Sequence, residues 1–441
     1  MEGVLTRVGC GWDAVATIGI TNQRETVVAW NSTNGKPVGN AIVWQDRRSA
    51  AFCEELKKQG KETWIQEKTG LVLDPYFSAS KMKWILENRE EAEVLAEEGA
   101  LRFGTIDSWL IWKLSGGRCY VTDVSNASRT QLMDLRSCQW DEELMELFSI
   151  PKPSLPRIVE SSGEFATTDP ELTGGRSVTI SGIAGDQQAA LFGQLCFKSG
   201  MVKCTYGTGC FILMNVGDEP SSSKNKLLST VAWKVDGKVE YALEGSVFVG
   251  GSAVQWLRDQ LGVIKSAEEV EALARSVESS DGVVVVPAFT GLGAPYWDPY
   301  ARGTIMGLTR GSGVAHIARA VLDGIANQVS DVTEAMATDA GHRLRELRAD
   351  GGASANSLLM QTQADVSGVS VKCPRILETT AQGAAFLAGL ATGYWGSREE
   401  LVRLVEADRS YEPAMSETDR RLRLGKWKKA IDRCQEWEDE E

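Results

Sequence analysis

Three times in its second half the chain leaves a β-rich run through a glycine cluster: YGTGCF (206–211), VGGSAVQWLRD (249–259) and ADGGASAN (349–356). Glycine at a strand end lets backbone N–H groups approach a phosphate or a base without a Cβ in the way, and a following helix offers its positive end. Each cluster alone also reads as a tight turn. Together they favour a nucleotide site in an α/β protein. Absences limit its kind. The Gly-Lys pairs at 35, 60, 237 and 425 are followed by Pro, Glu, Val and Trp, so no GxxxxGK[ST] loop exists, and the nearest approach to GxGxxG, GSGVAH at 311–316, ends in His. Walker-type NTPases and Rossmann dehydrogenases are thereby disfavoured.

At 441 residues the chain exceeds what one core serves. Two α/β domains are expected, at 1–193 and 194–441, with a cleft between them. A net charge of -13 argues against a nucleic-acid groove, which needs clustered Lys and Arg. Small-molecule partners fit better. No apolar run reaches the roughly 18 residues of a membrane span, and residues 1–20 lack the basic head and apolar core of a signal peptide. The expectation is a cytoplasmic protein with no membrane insertion. Nine cysteines without a CxxC pair read as reduced, mostly buried thiols. Only two histidines exist, His316 and His342, both in helical sequence, so carboxylates must carry any proton transfer.

AVATIGITN and ETVVAWN read as strands, with AIVW (41–44) a third. DRRSAAFCEELKKQG has a helical stripe, and SASKMKWILENREEAEVLAEEG reads as a helix opened by serine caps. After Gly193 come paired strands, MVKCTYGTG, CFILMNVG, LLSTVAWKV and KVEYALEG, the last two joined by an Asp236-Gly237 hairpin turn. GVVVVPAF, RGTIMGLT and LRELRADGG are further strands, AHIARAVLDGIANQVSDVTEAMATDAG is a long helix ended by Gly341, and ANSLLMQTQADVSG is helical. The charged tail DRRLRLGKWKKAIDRCQEWEDEE reads as a surface helix.

One acid stands out. In SGIAGDQQAALFG (181–193) Asp186 sits between the strand RSVTISGI and a helix. It reads as an N-cap for QQAALFG, as a base at the mouth of a cleft, or as both. NQRET (22–26), VWQDRR (43–48) and DPYFSASK (74–81) gather polar groups at strand ends and loops. Arg24 beside Glu25 reads as a solvated charge pair, although ATIGIT and TVVAW around it are uncharged.

These segments, with TYGTGCF and VPAFTGLGAPYWDPYARG, resemble the FGGY family of carbohydrate kinases, and within it the members that phosphorylate glycerol. Both family signatures are met, in YFSASKMKWILEN (76–88) and GTIMGLTRGSGVAHIARAVLD (303–323), and the likeness runs from about residue 14 to 425–430. It implies two ribonuclease-H-like domains of the actin-like ATPase architecture, closing on ATP, Mg²⁺ and glycerol. It also implies roles: Asp186 as base; Arg24, Glu25, Tyr76 and Gln187 on the glycerol hydroxyls; Trp44 and Phe211 against its carbons. For ATP it implies Thr208 at the phosphates, Gly251 and Gln255 beyond them, and Gly352 with Asn356 at adenine and ribose. A homo-oligomer is implied too. Members of the family begin with a hairpin carrying an Asp-x-Gly-Thr phosphate loop, and no such motif precedes NQRET. The first domain is therefore expected to be truncated at its start and to expose a sheet edge. Alternatives to a glycerol-phosphorylating enzyme are a catalytically impaired fragment or non-catalytic homologue, or a family member acting on a pentulose. Arg176 stands in a Gly/Arg loop tied in some members to fructose 1,6-bisphosphate, but its register is shifted, and that regulation is not expected.

Overall fold

The computed structural model describes residues 1–405 and 407–438. Its two main sheets fall where the β-branched runs fall. Thr17–Asn22 (β1), Ser162–Thr167 (β2) and Thr179–Gly185 (β3) form one sheet in the order β1-β3-β2. β1 is parallel to β3 and β2 antiparallel to it, so β1 is an edge strand of this sheet among the described residues.

The second sheet comprises Met201–Tyr206 (β4), Cys210–Gly217 (β5), Leu228–Val235 (β6), Lys238–Val247 (β7), Glu346–Asp350 (β8), Val371–Pro374 (β9) and Ala407–Tyr411 (β10). Their order is β6-β7-β5-β4-β8-β9-β10. The β6–β7 turn has Asp236 at φ 52 and Gly237 at φ 76, the two left-handed residues that a tight hairpin on a right-twisted ribbon needs. Alternation along the strands divides this sheet into two faces. Val202, Cys204, Tyr206, Ile212, Met214 and Leu243 point into the larger core. Lys203, Thr205, Phe211, Glu244 and Asp350, at the intervening positions, share the other face, paired in register across β4, β5, β7 and β8. That polar face looks toward the first sheet.

Six helices matter for the site: Asp186–Gly193 (α1), Gly251–Asp259 (α2), Val314–Ala340 (α3), Ser357–Ser367 (α4), Thr379–Ala391 (α5) and Glu417–Cys434 (α6). α3, 27 residues long, lays Val321, Ile325, Val329, Val332 and Met336 on the apolar face of the second sheet and ends at left-handed Gly341. His316 opens it: its Nδ1 accepts the Gly313 N–H at 3.1 Å, an N-terminal cap. α5 follows the second sheet's β9 yet packs on α1, β1 and β3. The approach is backbone to backbone. A Cβ on Gly383 would lie 1.8 Å from the Ala189 carbonyl oxygen, and one on Gly193 would lie 2.0 Å from that of Thr379.

Several expectations need correction. AIVW is no strand; only Ile42 forms an isolated bridge, to Val27, because the chain turns at Trp44. The helix from Ser78 is two, Ser78–Asn88 and Glu90–Glu97, broken at extended Arg89. Its N-cap is Phe77 with no side-chain bond, and the Ser78 hydroxyl donates instead to the Glu25 carbonyl. The tail helix α6 is anchored rather than superficial, burying Trp427, Ala430, Ile431 and Cys434. The Trp427 indole N–H donates to Asp331 at 2.6 Å.

Gly383→Ala tests the close contact of α5 with α1. The added methyl has backbone on its far side, which cannot rotate away, so a loss of about 1–3 kcal/mol is expected, read as a lowered Tm. An unchanged Tm would mean the helices separate freely.

Candidate functional site

Between the two sheets lies a cluster of buried charges. Arg24 and Glu25 follow β1 in a γ-turn, with Glu25 at φ 63 and the Thr26 N–H donating to the Arg24 carbonyl at 2.8 Å. Such a conformation is uncommon for a side-chain-bearing residue and persists where surroundings hold it. The surroundings are ionic. The Arg24 guanidinium makes two parallel bonds to Glu244 of β7, at 2.5 and 2.9 Å. Arg129 donates through Nε to Glu25 at 2.7 Å and through Nη2 to Glu244 at 3.0 Å. Arg24 Nε lies 3.7 Å from Glu25 and 3.3 Å from Asp186, and its Nη1 donates to Gln188 at 3.2 Å.

The solvated Arg24–Glu25 pair expected from adjacency is thus a buried network in which Glu244 is the main partner of Arg24. Burial pushes the Glu244 carboxyl up, but the Arg129 and Arg24 guanidinium groups outweigh it and hold the carboxyl at about 2. Burial raises Glu25, and the same two arginines only partly pull it back. For Arg24 the burial penalty is overcome by Glu244 and Glu25, which raise it well above the ordinary arginine value.

The chain segment carrying Arg129 also holds Asp186. Asp123 accepts from the backbone N–H groups of Ser125 and Asn126, both at 3.0 Å, and so caps the short helix Val124–Ala127. The Ser125 hydroxyl donates to Asp123 at 2.9 Å and accepts the Gly185 N–H, also at 2.9 Å, pinning the end of β3. Asp186 then stands at the first position of α1, with Gly185 as N-cap. The N-cap reading of Asp186 therefore fails. Its Oδ1 accepts the adjacent Gln187 N–H at 2.8 Å beside the Arg24 ion pair, and the side chain stays 32% exposed in the cleft.

Around it, Trp44 and Tyr76 meet edge to face at 5.5 Å between centroids. Both are half-buried. Lys81, a buried ammonium held near 8 by its desolvation, donates to the carbonyls of Pro75 at 2.9 Å, Tyr76 at 2.5 Å and Phe77 at 2.8 Å, fixing the turn that presents Tyr76. Phe211 enters from the second sheet, paired with Thr205 on one side and Ser246 on the other. Gln187 accepts from the buried Lys203 ammonium, which also donates to Thr205 at 3.1 Å.

Two residues beyond Thr205 the glycine turns begin. The Gly207 carbonyl accepts the Gly251 N–H at 2.8 Å, and the Thr208 carbonyl accepts the Gly250 N–H at 2.8 Å. Gly351, at φ 83, passes so close that a Cβ would lie 2.6 Å from the Tyr206 carbonyl oxygen. The three glycine clusters consequently share one cavity of about 350 Å³, lined by Thr208, Gly251, Gln255, Gly352 and Asn356. Asn356 has a structural duty as well, its Oδ1 capping α4 at Leu359 N–H, 2.9 Å. Among the described residues no three His, Cys, Asp or Glu side chains gather as a metal site.

Sequence reasoning missed Glu244, Arg129, Gln188, Lys203 and Lys81. Arg129 carried the same signal as Arg24, a lone cation in the uncharged context SNASRTQL. Glu244, an acid within a strand, gave a weaker one.

The matching family models are the FGGY family of carbohydrate kinases, N-terminal domain, over residues 1–193, and C-terminal domain, over residues 202–392. The glycerol kinase of Alkaliphilus metalliredigens is 56% identical over 99% of this chain and 88% of its own length. That of Dechloromonas aromatica is 57% identical over 96% and 84%. Among solved structures, a crystal structure of Plasmodium falciparum glycerol kinase with ADP superposes with a TM-score of 0.93 at 37% identity, covering 98% of this chain and 87% of that one. A xylulose kinase from Lactobacillus acidophilus, at TM-score 0.84 and 24% identity over 95% of this chain and 83% of its own, shares the fold.

Glu244→Gln leaves two buried guanidinium groups short of a charge, which should cost about 3–5 kcal/mol, measured by thermal or urea unfolding. The pH dependence carries a second signature. A carboxyl held at about 2 contributes stability above about 4.3, the unfolded value, and loses it as pH falls toward 2. That part of the acid limb should be missing from the variant's stability profile. An acid limb identical to that of the parent would contradict the assignment.

Proposed function

The chain belongs to the FGGY family of carbohydrate kinases, and from that premise we propose that it transfers the γ-phosphoryl group of ATP to glycerol, giving sn-glycerol 3-phosphate. Residues 1–193 are taken as the glycerol-binding domain and 194–441 as the nucleotide-binding domain. The observation that carries the reading is the position of Asp186. It lies beside Arg24 on one side, and on the other its neighbour Gln187 leads through Lys203 and Thr205 to the glycine turns.

In this reading Arg24, Glu25, Tyr76 and Gln187 hold the glycerol hydroxyls, and Trp44 and Phe211 face its C–H edge. The terminal hydroxyl oxygen forms the new bond to the γ-phosphorus, its proton passes to Asp186, and the bond to the β,γ-bridging oxygen breaks to release ADP. A carboxylate suffices, since the loose transition state needs alignment more than early deprotonation. Thr208 serves the phosphates, Gly251 and Gln255 lie beyond them, and Gly352 and Asn356 border the nucleoside.

Mg²⁺, if bound, would supply positive charge against the phosphates, and one or two protein carboxylates would be enough to hold it. Asp186 and Asp350 are the candidates: the former is open to the cleft, and the latter keeps a buried Oδ1 with no partner. A cytoplasmic location fits the free state of all nine cysteines and the lack, among described residues, of any helix long and apolar enough to cross a membrane. A homo-oligomer belongs to the same reading, to be checked by sedimentation.

The direct test is glycerol-dependent ADP release by this chain, with Asp186→Asn as control. The variant should lose about 10²–10⁴-fold in kcat while KM for ATP and Tm hold, because Asp186 caps no helix. ADP release independent of glycerol, or near-normal turnover by the variant, would overturn the assignment. On the nucleotide side, Gln255→Ala should raise KM for ATP severalfold and leave KM for glycerol unchanged.

A further inference from the structure

Away from the cleft, α3 and α6 enclose with the segment 279–284 a cavity of about 740 Å³. Its charge is out of keeping with an acidic chain. Five basic side chains line it, Arg319, Arg421, Arg423, Lys426 and Lys429, against one carboxylate, Asp323. Asp323 is already shared, 3.4 Å from Arg319 Nε and 2.7 Å from Arg423 Nη2. Arg421 is held from outside by Glu417 at 2.8 Å. Lys426 and Lys429, one turn apart on α6, have no carboxylate within 4.0 Å among the described residues. Lys426 reaches inward, its Nζ 3.2 Å from where a Cβ on Gly282 would stand.

One buried polar atom on the cavity wall is unsatisfied. Asn327 of α3 is only 4% exposed, yet its Oδ1 has no donor among the described residues. A ligand hydroxyl supplies such a donor. A water would satisfy that atom but would leave the lysines unmatched.

We propose that this cavity is a second small-molecule site, for a hydroxylated phosphate monoester, with the phosphate at Lys426 and Lys429 and a hydroxyl donating to Asn327. A phosphate dianion gains charge-assisted bonds there, and the cavity has the volume of a small-ligand pocket.

Calorimetric titration of the full chain with ribose 5-phosphate tests this, with ADP and glycerol saturating so that the cleft is filled. The sugar phosphate should bind at least about tenfold more tightly than inorganic phosphate, and ribose should give no heat. Lys426→Gln/Lys429→Gln, which alters only exposed side chains, should weaken ribose 5-phosphate by about tenfold or more. Asn327→Ala should weaken ribose 5-phosphate severalfold and leave inorganic phosphate unchanged, a control that also reports folding. Absence of binding to the parent chain, or unchanged affinity in either variant, overturns the proposal.

Discussion

The pairing of Arg24 with Glu244 spans the two sheets, and the geometry around it depends on that pair. A guanidinium and a carboxylate, each about 2% exposed, are costly to desolvate, and one bond between them would not offset the cost. Here the bonding is bidentate and doubled by Arg129, which bonds to Glu244 and Glu25 at once. Arginine suits the task because its planar fork keeps a fixed orientation while its remaining edge faces the cleft. The residue proposed to hold substrate is consequently oriented before substrate arrives, by a group from the opposite sheet.

Strand alternation makes that possible at little further expense. The second sheet must bury one face against α3, so β4, β5, β7 and β8 turn every other residue toward the first sheet. Lys203, Thr205, Phe211, Glu244 and Asp350 occupy those positions, and one-residue slips of register would bury them in the apolar core. The glycine turns at the ends of the same strands form the cavity proposed for the nucleotide. On the other side of the cleft, β3 ends in Gly185 and delivers Asp186 at the start of α1. α5 closes the gap, coming close enough through Gly383 and Gly193 to hold the two sheets in one relation.

Much of this was legible in the sequence because it is local. The strands of the second sheet, the Asp236-Gly237 turn, the Gly341 stop and the convergence of three glycine clusters all follow from patterns a few residues long. The resemblance of motifs supplied the family, which the domain matches bear out. What was not legible is set by distant partners. Arg24 was read against its neighbour Glu25, but its deciding partner is 220 residues away. Ser78 carried a capping residue type, yet its hydroxyl is drawn to the Glu25 carbonyl, and AIVW has strand propensity but no neighbouring strand beyond one bridge. Asp186 resembled an N-cap until the Ser125–Gly185 bond set the helix start one residue earlier.

The dependence of the site on the cross-sheet pair is open to a double-mutant cycle. Arg24→Met, Glu244→Met and the double variant are compared with the parent by thermal unfolding. Interacting buried partners predict that the double variant is more stable than the sum of the single losses by about 1–3 kcal/mol, since each single change strands a charge that the second removes. Losses that simply add, within about 0.5 kcal/mol, would contradict the account.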